Sequence, residues 1–164
     1  MKKYHYYDGK LIIELPDEFQ DMDSKAIIKK FPYQIRPQII KWDMKEIIFT
    51  LDLINQSLRE KEAYFAVVAM QRKMNKIYPA SIIKTTSIIY NPNVAVAWFA
   101  FALNSRKGKS IHTMFALPMD GKFLLGSFHS NSDGHQKLYE LTQQFLKKIM
   151  FREVDKEGWN NARI

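Results

Sequence analysis

The groups in this chain that could do chemistry are histidines, carboxylates and hydroxyls, and one hairpin pattern brings two of them together. Asp120-Gly121 marks a two-residue turn, because a type I′ turn needs positive φ at both central positions. With that turn Met119 faces Lys122, Leu117 faces Leu124, Phe115 faces Gly126, Met114 faces Ser127 and His112 faces His129. Directly opposed side chains have Cβ atoms about 4.5–5.5 Å apart, close enough for both imidazoles to reach one ion. Zinc takes about three or four protein ligands; no third can be named, and the chain has no cysteine. The pairing is therefore expected without a metal. Two imidazolium ions at that distance repel and depress each other's pKa, so the pair is expected to respond to pH.

Other chemistry is thinly represented. There is no P-loop, no dinucleotide-binding glycine fingerprint, no G-x-S-x-G elbow and no H-E-x-x-H. Glu14, Asp17, Glu18 and Asp21 cluster around Pro16 and read as a solvated loop rather than a paired-carboxylate site. Tyr4, His5, Tyr6 and Tyr7 stand beside Lys2, Lys3 and Lys10. Such rings could stack bases, but a single run without an RNA-binding motif reads as an edge strand whose rings cover a sheet. No catalytic, cofactor-binding or metal-ligating residue is assigned, and no cofactor is expected.

The elements that must position these groups centre on residues 80–131, read as a four-strand antiparallel meander with turns at Asn91-Pro92-Asn93, Arg106-Lys107-Gly108 and Asp120-Gly121. In Val94–Leu103 both alternating sets are apolar, including Trp98 on one side and Phe99 and Phe101 on the other. Both faces of that strand are expected to be buried. Gly126 leaves room for Phe115, and Pro118 suggests an edge position or a bulge.

Upstream, Tyr4–Leu15 reads as a hairpin around Asp8-Gly9 that ends at Pro16. Asp23-Ser24 can cap a short helix over Lys25–Phe31. Gln38–Trp42 is extended, and Ile47–Ile54 is a strand, half polar on one face and so placed nearer a sheet edge. Ser57-Leu58-Arg59-Glu60 has the form of a capping box opening a helix to about Ile77. Its stripe is Ala63, Val67, Met70, Met74 and Ile77, widened by Phe65 and Val68, and it reads as core packing. A second long helix runs from about His135 to Phe151 with the stripe Leu138, Leu141, Phe145 and Ile149. The segment 152–164 is polar, with Trp159 near its end.

The chain has 164 residues, 46% of them hydrophobic, a single-domain length with ample core. The absence of cysteine excludes disulfides, thiol nucleophiles and thiolate metal sites. No apolar run reaches about 18 residues, so no membrane span is expected. No signal peptide is read at the N-terminus, and the cytoplasm is the expected compartment. The formal charge is +8, but Lys29, Lys30, Arg36, Arg59, Lys73, Lys76, Lys107, Lys109, Lys147 and Lys148 fall on several elements. This reads as a solvated surface rather than a nucleic-acid patch.

The fold expected is α+β, in the order ββ-α-ββ-α-ββββ-α, with one antiparallel sheet of six to seven strands covered by two long helices. One domain spans 1–151, and 152–164 is a tail. Leu11-Ile12-Ile13-Glu14-Leu15-Pro16 is similar to the F-x-I-x-L-P opening of PsbP-like domains, with Leu11 in place of the aromatic. A helix before a four-strand meander and a last helix ending near Phe151 complete the likeness. Over residues 4–151 the chain thus resembles the PsbP-like fold, shared by the extrinsic photosystem II protein and a small Ran-binding import factor. The resemblance implies a binding or assembly protein rather than an enzyme, and carries over no functional residue. The reading is a non-enzymatic, bacterial-type protein that binds another macromolecule, a protein before a nucleic acid, with a homodimer expected slightly ahead of a monomer. The alternatives are a small-ligand-binding domain or hydrolase with a pocket between sheet and helix, and a nucleic-acid-binding protein using its basic surface.

Overall fold

The computed structural model describes residues 1–163 apart from 33, 60–61, 79–81, 84–86, 92–93, 106–107, 132–134 and 155–159; at 82–83, 87–91, 94–95, 104–105, 135, 153–154 and 160–163 it describes the backbone alone. The chain is α+β, but its strands form two antiparallel sheets rather than one. The small sheet runs β1 (Lys2–Tyr6), β2 (Leu11–Leu15), β11 (Met150–Val154), β12 (Asn160–Arg163). The large sheet runs β3 (Gln20–Asp21), β4 (Ile39–Trp42), β5 (Ile47–Ser57), β10 (Lys122–Ser130), β9 (Gly108–Met119), β8 (Val94–Ser105), β6 (Ile82–Ile83). A further strand, β7 (Ser87–Asn91), also pairs with β8. Among the described residues three helices complete the fold: α1 (Ser24–Lys30), α2 (Ala63–Ile77) and α3 (His135–Lys148).

The meander forms as read. Asp120 and Gly121 have φ of 53° and 70°, and every pair from Met119↔Lys122 to His112↔His129 is in the expected register. A Cβ on Gly126 would stand 2.2 Å from Cζ of Phe115, so the missing side chain is what lets that ring lie across the strand. Pro118 causes no bulge in this ladder. It lies two residues beyond Ala116, where the pairing of β9 with β8 begins, so its missing N–H leaves no bond unmade on that side. The first strand of the meander is divided into β6 and β7, which pair with different parts of β8.

Successive residues of the strands feed two separate cores. The inner face buries Val96, Trp98 and Ala100 with Phe49, Phe115 and Phe128 against Phe145 of α3 and Leu11, Ile13 and Leu15 of the small sheet. The buried Thr113 and Thr142 hydroxyls lie 2.7 Å apart and link β9 to α3. The outer face buries Ala97, Phe99, Phe101, Ala116 and Phe123 against Ala63 and Val67 of α2. Both faces of β8 are therefore covered within the chain, which removes the apolar argument for a dimer.

The strand β5 is third from the β3 edge, nearer that edge as expected; β4 pairs with it only over Ile48–Leu51, and its polar Thr50 bonds the Ser127 hydroxyl across the β10 ladder at 2.6 Å. Several local expectations fail for one reason, a backbone partner distant in sequence. Ser57 does not cap a helix. It pairs with Lys122 as the last residue of β5, and α2 starts at Ala63 behind Glu62. The last helix stops at Lys148 rather than Phe151, because Met150 and Phe151 pair with Ile12 and Leu11. The two main helices, of 15 and 14 residues, are thus shorter than expected. The α1 cap holds: the Asp23 carboxylate accepts from the Ala26 N–H at 2.8 Å. The strand β12 lies within the segment read as a tail, whose Trp159 lies outside the described residues.

Candidate functional site

The hairpin brings His112 and His129 together on the outer face. Their rings stack at 5.3 Å between centroids and 20° between planes. Phe101 stacks on His112 at 4.7 Å and 2°, and Phe31 meets His129 edge-on at 6.2 Å. The Ser110 hydroxyl lies 2.9 Å from Nε2 of His112. Burial pushes the His112 pKa down to about 4. Burial also pushes His129 down, to about 3, with the charges of His112 and Lys30 adding to it. Both imidazoles are thus neutral at neutral pH and act as flat rings in an aromatic row. Among the described residues no three His, Asp or Glu stand together as a ligand set.

The acidic residues around Pro16 are dispersed among separate cations. Glu14 lies in β2, not in a loop, between Lys3 (3.7 Å) and Lys148 (3.6 Å). Asp17 binds the N-terminal ammonium at 2.9 Å, and Asp21 binds the buried Lys41 at 2.7 Å. No carboxylate pair results. The tyrosine run is an edge strand whose rings turn inward. Tyr4 and Tyr6 pack on the core, the Tyr4 ring lies 4.0 Å from Nζ of Lys41, and its hydroxyl donates to the Phe19 carbonyl at 3.1 Å. Burial, with the charge of Asp21 behind it, raises the Tyr6 pKa. Burial and the charge of Asp52 push Tyr7 up to about 12, and its hydroxyl donates to Gln38 at 2.7 Å. These groups join the two sheets and present no free face for bases.

Large apolar side chains are exposed at Ile28, Ile35 and Met44 and, with an aromatic pair among them, on α2. Its stripe covers the sheet only over the first half: Ala63 and Val67 are buried, Met70 and Met74 are partly buried, and Ile77 is 53% exposed. Phe65, read from the sequence as part of that stripe, is 70% exposed, with the Tyr64 ring edge-on at 5.7 Å. The signal was in the spacing. Phe65 and Val67 are two residues apart, about 200° around a helix, so they cannot share a face. By the same geometry Phe65, Ala69, Arg72 and Lys76 form one outward ridge at i, i+4, i+7 and i+11. Residues 63–78 contain no acidic residue. The ridge therefore carries an aromatic end and a cationic end, in line with the helix dipole at Lys76.

No known family's sequence profile matches the chain, and no curated protein sequence matches it. Solved structures do. Cyanobacterial PsbP (CyanoP) from Synechocystis sp. PCC 6803 superposes with a TM-score of 0.60 at 7% identity, over 92% of this chain and 91% of that one. The Saccharomyces cerevisiae Ran-binding protein Mog1p superposes with a TM-score of 0.55 at 11% identity, over 90% and 93%. A protein from Bacteroides thetaiotaomicron gives 0.59 at 9%, over 93% of this chain and 48% of that one, so the chain spans about half of that protein's length. The chain has the PsbP-like fold. At these identities the likeness is one of fold.

Proposed function

We propose that this chain is a non-enzymatic domain that binds another protein through the outward ridge of α2, as a cytoplasmic assembly or chaperone-like component. The observation that carries the reading is the solvent-facing Phe65, 70% exposed on a helix packed against the sheet by its other side. Aromatic residues and arginine are enriched at protein interfaces relative to the rest of a protein surface, and the ridge carries both with Tyr64 beside it. Arg72 and Lys76 on the same ridge select an acidic partner surface by charge complementarity. The fold shared with a Ran-binding protein supports a binding role without naming a partner. The scattered cations favour a protein over nucleic acid, because phosphate tracking needs a continuous basic groove.

Photocrosslinking tests the reading. A benzophenone side chain at Phe65 should give one discrete protein adduct in the native host, and the same group at the exposed Glu140 of α3 should give none. The adduct should vanish in an Arg72→Glu, Lys76→Glu background. Equal labelling from both positions would overturn the proposal. An adduct of twice the chain's mass would overturn the acidic partner in favour of a second copy.

A further inference from the structure

The outer face carries a second feature, far from the α2 ridge in the strand order. Across the large sheet, Phe101, His112, His129, Ile48 and Trp42 are successive cross-strand neighbours. The row starts under α2 and ends at a cavity of 280 Å³ lined by Lys30, Trp42, Lys45, Glu46, Ile48 and Asn131 among others. Three elements meet there: the end of α1, the β4–β5 turn and the end of β10.

The walls of this cavity are held in place. The Asp43 carboxylate accepts N–H bonds from Lys45 (2.9 Å), Glu46 (2.8 Å) and Ile47 (2.9 Å) through one oxygen. Met44 takes a φ of 64° to close that turn. Asp43 is itself buried, so its charge is used inside the turn while the side chains of residues 45 and 46 stand at the cavity. Opposite, Phe31 caps α1 and rests its ring edge-on against His129, which anchors the end of the helix that carries Lys30. A wall ordered before a ligand arrives lowers the entropy lost on binding.

From this arrangement we infer that the cavity is a binding site for a small flat organic anion, an aromatic carboxylate, with the ring against the Trp42 indole and the carboxylate between the Lys30 and Lys45 ammonium groups. Two lysines against one glutamate leave the lining net positive, and the Asn131 amide adds a donor. The half-buried indole supplies a stacking face. The volume lies just below the range of about 300–1,000 Å³ that takes drug-sized ligands, so the ligand is a one- or two-ring acid and not a nucleotide. The low pKa of His129, to which Lys30 contributes, agrees with positive potential at this end of the row. Neither histidine supplies a charge to the ligand at neutral pH.

The test follows the indole N–H resonance of Trp42 in the full chain during titration with indole-3-acetate, benzoate, benzamide and inorganic phosphate. Indole-3-acetate and benzoate should shift it saturably at submillimolar to low millimolar concentration, and benzamide, of the same shape without the charge, should not. A Lys30→Ala, Lys45→Ala variant, altered only at exposed side chains, should keep the dispersed spectrum of the wild type and bind at least about tenfold more weakly. No saturable shift up to about 10 mM carboxylate would overturn the inference, as would equal affinity for benzamide or unchanged affinity in the double variant. A response to phosphate equal to that to the carboxylates would overturn the stacked ring.

Discussion

The inner and outer faces of the large sheet solve the same burial problem to different degrees. The inner face is closed: α3 and the small sheet cover it from β5 to β8, and Phe49, Phe115, Phe128 and Phe145 meet there at centroid distances from 5.0 to 6.4 Å. The outer face is closed less completely, by half of α2 at one end and by Phe31 of the α1 cap against His129 farther along. Its remainder carries a neutral histidine pair, a threonine–serine hydrogen bond and a tryptophan beside a cavity. The inner face carries stability, and the outer face has room for recognition. One sheet can do both because its side chains alternate, so each strand contributes independently to the two faces.

The largest effect that separates the faces should come from Phe128→Ala. That ring is fully buried among Phe19, Phe49, Phe115 and Phe145, and its removal should destabilise by about 3–5 kcal/mol in urea unfolding. A loss under about 1 kcal/mol would mean that the inner face is not the main core. Next is Gly126→Ala, whose Cβ would meet the Phe115 ring. Overpacking there should destabilise by about 1–3 kcal/mol, and a Phe115→Leu partner should recover part of it. An additive double mutant would show that the glycine serves something other than that ring.

Acid should act on the outer face first. His112 and His129 are held neutral, with pKa values lowered by burial to about 4 and about 3. Between those values and the unfolded value of about 6.5 the unfolded chain binds more protons than the native one, so stability falls as pH falls. The loss from pH 7 to 4 should be about 3 kcal/mol for each imidazole, and much smaller in a His112→Phe, His129→Phe variant that keeps the stack. A wild type and variant with parallel pH profiles would mean that the imidazoles are not buried neutral. The smallest effect on stability should be that of Phe65→Ser, within about 0.5 kcal/mol because the ring is mostly exposed, while co-purification of the partner identified by crosslinking is lost. Destabilisation above about 1 kcal/mol would make Phe65 a packing residue and end its role as a binding anchor.

What the sequence by itself determined are features whose cause is local. The Asp120-Gly121 turn dictates the register out to His112↔His129, since each residue of a ladder follows from the last. The doubly apolar run around Trp98 and Phe99 implies cover on both faces, and Asp23 starts α1 through a bond three residues away. The candidate surfaces were partly legible: the histidine pair was read correctly, and Phe65 was readable from its helical angle. The tertiary structure alone decided the rest. It placed β5 beside β10, drew Ser57 into a ladder instead of a cap, and ended α3 at Lys148 so that Arg152 could donate its N–H to the Lys10 carbonyl at 2.7 Å. It also assembled the Trp42 cavity from three distant segments. In each case a backbone N–H or C=O could be satisfied equally well by a near or a distant partner. Local sequence states only the near option, and the packing of two sheets on one core selects between them.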